Sequence, residues 1–508
     1  MEKVFTALKS AEYWIIPVAV FGAIIGSFLN VVIFRLPRGL SVNRPRWSFC
    51  PHCRARIQPF HNVPIFGWLF LRGRCRDCRR PIAMVYPLVE CASVLLFIMV
   101  WDAMFVARVL PGIGHPVADW ALAIAYLMLF AGLLATAVMD IEAYTIDIRL
   151  CMVTMFVGVL CHAVWGAPAS SVVAASAGVR PSAMPQALGL LPPSLGVIGS
   201  AMGIAWLLTV LVATRWLRRD VSQEEGDEAS SPSDDLPWQA AESPDQTAYL
   251  NTAGQRFRPL PILLFLALVV GLLLWQRFAP SRRFDLPLTA GALRGLLACA
   301  VFMFLLMLSS LVRREADEQI IEEITAESAG ARTMVLGELA WFIPVVLVGV
   351  SLFLFFRLSG RLDAGYGELL DLGASHAGWL NHLEGACRSI AAMVLAAALG
   401  WTVRILGTLT FGKEAFGTGD IFIMAAIGAV LGFWAVVFSF FLAAVLALVG
   451  TVVTMLRKSS RAIPFGPWLA LGAFVELWLH AGLLRWFAPA GKLLWSILSG
   501  HPLWLTGA

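Results

Sequence analysis

The stretch FGTGDIFIMAAIGAVLGF runs from Phe416 to Phe433. Beyond Asp420 it is apolar enough to enter a bilayer, and Gly417 and Gly419 stand just before that acid. A carboxylate carried to the centre of a bilayer costs roughly 2.5–3.5 kcal/mol. An acid at the mouth of an apolar run therefore needs a reason. The surrounding sequence sets the class: of 508 residues, 59% are hydrophobic and 14% charged, and the mean hydropathy is +0.77. A soluble chain of this length carries far more charge. The sequence predicts an all-α polytopic membrane protein.

Further apolar runs occur at 13–34, 86–107, 119–139, 148–165, 192–213, 260–276, 290–312, 335–356, 389–409, 434–456 and 466–485. With 420–433 they give about 12 transmembrane helices, each judged against about 30 Å of hydrocarbon. Gly428 and Gly432 favour a break between 420–433 and 434–456. The first run, Tyr13 to Phe34, is expected to be a true span, not a cleaved signal.

Loop charge gives the orientation. Residues 35–80 hold eleven arginines and one acid, Asp77, so this loop is expected in the cytoplasm and the N-terminus outside. Alternating the spans puts Arg215, Arg313, Lys413 and Arg457 inside as well. The loop with Arg277, Arg282 and Arg283 falls outside, against the rule. The net charge of +5 is unevenly spread along the chain. Membrane lipid is the expected surrounding, and no nucleic-acid partner is expected. Residues 220–255, rich in Glu, Asp, Ser and Pro, predict a disordered cytoplasmic linker. Residues 313–332 predict a short charged helix. Each is a solvated connector or a docking segment.

Four of the nine cysteines form two C-x-x-C pairs, Cys50/Cys53 and Cys75/Cys78. Two residues between thiolates let both face one tetrahedral Zn²⁺. In a reducing compartment such a set favours metal over disulfides. Two disulfides, or unpaired thiols, are the alternatives. A four-thiolate site has no open position for water, so a structural role is expected. His52 and His61 lie near enough to compete for a ligand place. Cys91, Cys151, Cys161, Cys299 and Cys387 are expected to be packing residues.

Few acids lie at span ends. Glu90 is near the start of the second run, Asp140 ends the third with Glu142 and Asp147 following, and Asp420 opens the tenth. The alternation puts Asp140 and Asp420 at the same cytoplasmic face. Two carboxylates meeting at a partly desolvated site titrate as a unit, one charged and one protonated. Such a pair suits activation of water against a peptide carbonyl. Gly417 and Gly419 permit backbone torsions closed to other residues and let a substrate strand approach closely. Acids at span ends also mark topological boundaries and ion pathways. The residues alone leave an ion or solute transporter open, although no pair of similar halves is visible.

Five stretches add a resemblance: GSFLNVVIFRLPRG at 26–39, CPHCRARIQPFHNVPIFGWLFLRGRCRDCRRPIAMVYPLVE at 50–90, MDIEAYTID at 139–147, GKEAFGTGDIFIMAAIGAVLG at 412–432 and IPFGPWLALGA at 463–473. In this order they resemble the type IV prepilin peptidases, polytopic GxGD aspartyl proteases. The resemblance implies catalytic roles for Asp140 and Asp420, with Gly417 and Gly419 supporting, and zinc ligation by Cys50, Cys53, Cys75 and Cys78. It implies cleavage of the basic leader of a prepilin or type II secretion pseudopilin after a glycine, in the bacterial inner membrane. It further implies N-methylation of the new N-terminus with S-adenosylmethionine. A GxGD protease for other membrane substrates is the nearest alternative. Glu90 or Glu142 is a candidate to receive the basic leader.

Departures are visible. Asp147 stands where the family usually has proline, and Phe422 where it often has lysine. Typical members are much shorter. The expected organisation is a first helix over 1–34, a zinc-binding loop domain over 35–85 and helices with Asp140 over 86–166. An insert without family match follows over 167–388, and the GxGD and PFGP helices occupy 389–508.

Overall fold

In the computed structural model, ten of the twelve expected apolar runs fold as helices. It describes residues 14–110, 113–143, 145–176, 193–224, 331–362, 364, 369, 377–456 and 464–499. The expected spans 260–276 and 290–312, and most of the two charged connectors, lie outside the described residues. The helices are α1 (Ile15–Arg35), α2 (Val85–Trp101), α3 (Trp120–Ala143), α4 (Ile148–Ser176) and α5 (Pro193–Glu224). They continue as α6 (Ala331–Leu358), α7 (Ala377–Phe411), α8 (Thr418–Leu431), α9 (Phe433–Leu456) and α10 (Gly466–Ser499). Among the described residues, pairing outside helices is limited to isolated bridges. Apolar sequence without water must bond its own backbone, and a helix does so within one segment. Seven helices among the described residues are long and apolar enough to cross a membrane. The chain is a multi-pass, mostly helical membrane protein.

Contacts divide it into two compact units. The first holds α1–α3, the start of α4, most of α9 and the first half of α10. Here α2 and α3 are buried along almost their whole length. Gly22 and Gly26 of α1 set the contact with α2. A Cβ at Gly22 would stand 3.0 Å from the Phe97 Cβ, and one at Gly26 only 2.8 Å from the Glu90 Cα. This is the small-residue spacing by which helices approach in lipid. Phe130 of α3 meets Phe474 of α10 edge to face, with ring centroids 5.6 Å apart.

The second unit holds the later part of α4, α5–α8, the first residues of α9 and the end of α10. Its α7 packs on α5 and α8 through small residues. A Cβ at Gly428 would lie 2.7 Å from the Ala392 carbonyl oxygen. Ser389 Oγ donates to the Ala429 carbonyl at 2.6 Å. His162 Nε2 lies 3.0 Å from the Val430 carbonyl oxygen. Between α8 and α9, Gly432 sits at φ 94°, ψ 168°, a region open essentially to glycine alone. The expected break falls there, while Gly428 serves packing.

Candidate functional site

The polar segment between α1 and α2 is organised before any metal is considered. Arg35, the last residue of α1, donates to the carbonyls of Ser41, Val42, Pro45 and Trp47 at 2.9–3.2 Å. One guanidinium thereby satisfies four backbone acceptors at the entry of the loop. Glu90 secures the other side. Its Oε2 accepts the Ile65 N–H at 2.6 Å, and Ile65 is held at φ 64°, a strained value for a β-branched residue. Asn30 of α1 donates to the Tyr86 carbonyl at 3.0 Å.

Two similar turns then present the cysteines. Arg54 N–H bonds to the Cys50 carbonyl at 2.8 Å, and Arg79 N–H to the Cys75 carbonyl at 3.1 Å. In both turns the arginine after the second cysteine has positive φ, 57° and 58°. Both turns also sit inside antiparallel bridges, Phe49 with Arg56 and Arg74 with Pro81. The four sulfurs lie within 4.8 Å of one another. Cys50 Sγ is 3.9 Å from Cys78 Sγ, and Cys53 Sγ is 3.9 Å from Cys75 Sγ. Tetrahedral zinc with Zn–S near 2.3 Å requires sulfurs about 3.8 Å apart. The donor set and its spacing fit such an ion, and all four thiols are free of disulfides.

Burial pushes the Cys50 thiol up to about 12, against the pull of the Cys53 and His52 N–H groups. At Cys75 burial also raises the value, but the N–H groups of Cys78 and Asp77 bring the net shift below the ordinary range. A bound cation would hold all four as thiolates. His52 is not among the donors that cluster with the four sulfurs, and its Nδ1 lies 3.1 Å from an Arg80 guanidinium nitrogen. The expected packing cysteines Cys91, Cys151, Cys161 and Cys387 are all buried. Cys299 is outside the described residues.

Between this loop and the ends of α1 and α2 lies a cavity of about 750 Å³, lined by residues including Asn30, Glu90, His61, Cys75 and Arg80. Seven arginines face it against two acids, Asp77 and Glu90, a balance that favours an anionic occupant. Glu90 itself is buried and engaged with Ile65, so it fastens the loop at the edge of this cavity.

The two acids singled out from the sequence occupy different units. Asp140, in the last turn of α3, is 6% exposed. Its Oδ2 accepts the N–H of Gly466 at 3.1 Å. Gly466 opens α10 and is followed by Pro467, so the donor is one of the N–H groups a helix start leaves without a partner of its own. The positive end of α10 thus faces a carboxylate. Asp420, in the second unit, is 8% exposed and lies in the first turn of α8. Gly417 is the N-cap at φ −68°, and Gly419 is helical, so neither uses the left-handed torsions that glycine permits. Clearance is the surviving reason for Gly417: a Cβ there would stand 3.2 Å from Asp420 Oδ2.

Asp147 caps α4. Its Oδ1 accepts the Arg149 N–H at 2.8 Å, and its Oδ2 pairs with the Arg149 guanidinium at 2.7 Å. Four contacts escaped the sequence reading: Gly466 on Asp140, Ile65 on Glu90, a buried Glu476–His480 pair in α10, and a buried Arg404 that reaches the segment before Gly417.

Comparison with known proteins agrees with this anatomy. Residues 20–104 match the family model described as bacterial peptidase A24 N-terminal domain. A type 4 prepilin-like proteins leader peptide-processing enzyme of Escherichia coli O78:H11 is 38% identical over 139 residues, 24% of this chain and 46% of that protein. A prepilin leader peptidase/N-methyltransferase of Pectobacterium carotovorum is 33% identical over 171 residues, 29% and 56% of the two chains. One from Myxococcus xanthus is 51% identical over 78 residues, 15% and 23%. The chain spans about half the length, or less, of these relatives. No solved structure matches it. Residues 20–104 thus resemble a bacterial peptidase A24 N-terminal domain, and the chain is similar to prepilin leader peptidases over part of their length.

Proposed function

We propose that the chain is an aspartyl endopeptidase of the bacterial inner membrane that removes the basic leader from prepilins or type II secretion pseudopilins. Asp140 and Asp420 are its two catalytic carboxylates, with Gly417 and Gly419 supporting. The observation that carries this reading is the shared treatment of the two acids. Each is buried, and each sits against the N-terminal turn of a helix, α10 for Asp140 and α8 for Asp420. Helix starts favour a carboxylate in its charged, water-activating form.

The reaction needs both acids to address one substrate carbonyl, sharing one proton. The charged carboxylate takes a proton from water as the oxygen attacks the carbonyl carbon. The protonated one donates to the developing oxyanion. Collapse of the tetrahedral intermediate breaks the C–N bond and passes a proton to the departing amine. The arginine-rich loop places cleavage on the cytoplasmic side by the positive-inside rule.

Cys50, Cys53, Cys75 and Cys78 hold a structural zinc ion that fastens the loop over 35–85. The names of the relatives support a second step, N-methylation of the new N-terminus. S-adenosylmethionine, when bound, supplies the methyl group.

The test uses purified full-length protein in detergent with a prepilin-like peptide. Wild type should cut it, and Asp140→Asn and Asp420→Asn should not. A silent wild type, or normal cleavage by either variant, removes the peptidase reading. A gain of one methyl on the product after addition of S-adenosylmethionine decides the second step separately.

A further inference from the structure

The inserted helix α6 has no counterpart in the family resemblance, yet it reaches the segment that presents Asp420. The link is Arg404 of α7, whose side chain is 2% exposed. Its Nε and Nη2 donate to the two carboxylate oxygens of Glu338 in α6, each at 3.1 Å. Its Nη1 donates to the Phe416 carbonyl at 2.6 Å and also pairs with Glu414. The guanidinium carbon lies 5.7 Å from the centre of the Trp401 ring. A planar fork that meets one carboxylate with two parallel bonds has one orientation, so Glu338 fixes which way the remaining nitrogen points.

That nitrogen holds the carbonyl one residue before Gly417, the N-cap of α8. The rest of the segment is fastened by the same two helices. Gly412 has φ 71°, and a Cβ there would stand 3.1 Å from the guanidinium of Arg332, also in α6. Ala415 N–H donates to Thr408 Oγ1 at 3.2 Å, and a Cβ at Gly407 would lie 2.5 Å from the Ala415 Cβ.

We propose that Glu338 is a positioning residue: through Arg404 it latches residues 412–417 and so sets where Asp420 stands. Cleavage then depends on α6 being packed in place, which gives the insert a role in the reaction. The proposal deepens the peptidase reading and rests on it for its effect on turnover, but the latch itself can be measured without turnover.

Hydrogen exchange over 412–417 and peptide cleavage are measured on full-length wild type, Glu338→Ala, Arg404→Ala and the double variant. Removing Glu338 takes away the two bonds that orient the buried guanidinium and leaves it to Glu414 and the Phe416 carbonyl. Exchange over 412–417 should therefore rise at least about 10-fold in Glu338→Ala, while residues 194–209 of α5 exchange as in wild type. The double variant should exceed Arg404→Ala by less than about 2-fold, because both act on one unit. kcat should fall at least about 10-fold with KM changed less than about 3-fold. Glu338→Asp keeps the charge and should restore much of both readouts; Glu338→Gln, which loses the charge and one of the two acceptor oxygens, replaces Glu338→Ala if that variant does not fold and should likewise raise exchange over 412–417. Unchanged exchange over 412–417 in Glu338→Ala, additive effects in the double variant, or a fall in kcat without loosening of the segment overturns the proposal. If wild type itself does not cut, the peptidase reading falls and exchange alone decides the latch.

Discussion

The Glu90–Ile65 bond is the best place to perturb the metal loop without touching a cysteine. Glu90 and Ile65 are both buried, and the N–H donates to Oε2 at 2.6 Å while Ile65 holds φ 64°. Leucine at position 90 removes the acceptor and keeps an apolar body of similar length. A hydrogen bond to a charged group contributes about 1.5–3 kcal/mol. The strained torsion at Ile65 adds a tendency to relax once its tether is gone. At about 1.4 kcal/mol per tenfold, the local opening equilibrium shifts by roughly 10- to 150-fold. Exchange-detected mass spectrometry over residues 61–72 reads this shift directly. Glu90→Leu should exchange that segment about 10- to 150-fold faster than wild type. Glu90→Gln keeps an acceptor oxygen and should stay much nearer wild type. Equal protection in all three proteins would show that Glu90 does not hold the loop. Equal loss in Gln and Leu would show that charge alone, not the acceptor, is what matters.

Three other outcomes follow from single contacts. Gly432→Ala forces a Cβ into φ 94°, ψ 168° and should cost about 1–3 kcal/mol, read as a lower Tm in detergent. Asp147→Ala should cost about 0.5–2 kcal/mol of helix capping in α4. Because the Arg149 hydrogen bond holds the Asp147 carboxyl below its ordinary range, the wild-type advantage is present above about pH 3.9 and lost as pH falls through the lower folded value. At the cysteines the sign is the opposite: burial raises Cys50 to about 12, so the metal-free site keeps its proton and metal uptake must release it. Bound zinc, measured after dialysis, should therefore fall as the buffer is acidified, and Cys50→Ser should lower it at neutral pH.

The fold class was legible in the sequence because it depends on summed hydropathy, which no single contact overrides. The break after α8 was legible for a related reason: Gly432 carries a torsion that few other residues tolerate. The cysteine cluster was legible because its ligands are side chains at fixed local spacing. For Gly417 and Gly419 the sequence left two uses open. Glycine has two physical uses, and the letter alone does not say whether torsion or clearance applies. Gly417 leaves room beside Asp420 at an ordinary φ.

Three of the contacts that stayed hidden share one property. Asp140 is met by the N–H of Gly466, Glu90 by the N–H of Ile65, and Arg404 by the carbonyl of Phe416. Each partner is a backbone group, which nearly every residue possesses, so no letter marks it. Each also lies far along the chain or across a turn: Asp140 and Gly466 are 326 positions apart, and Arg404 and Glu338 are 66 apart. In the sequence Arg404 is a basic residue within the apolar run 389–409, and Glu338 an acid within the run 335–356, and neither carries a motif. Burial changes their meaning, since an arginine 2% exposed cannot be an orientation signal at a membrane surface and must be held by specific acceptors. The family signatures therefore mark where carboxylates and thiols stand. The backbone groups and the inserted helix decide how firmly they stand there, and that second layer becomes visible only when the chain is folded.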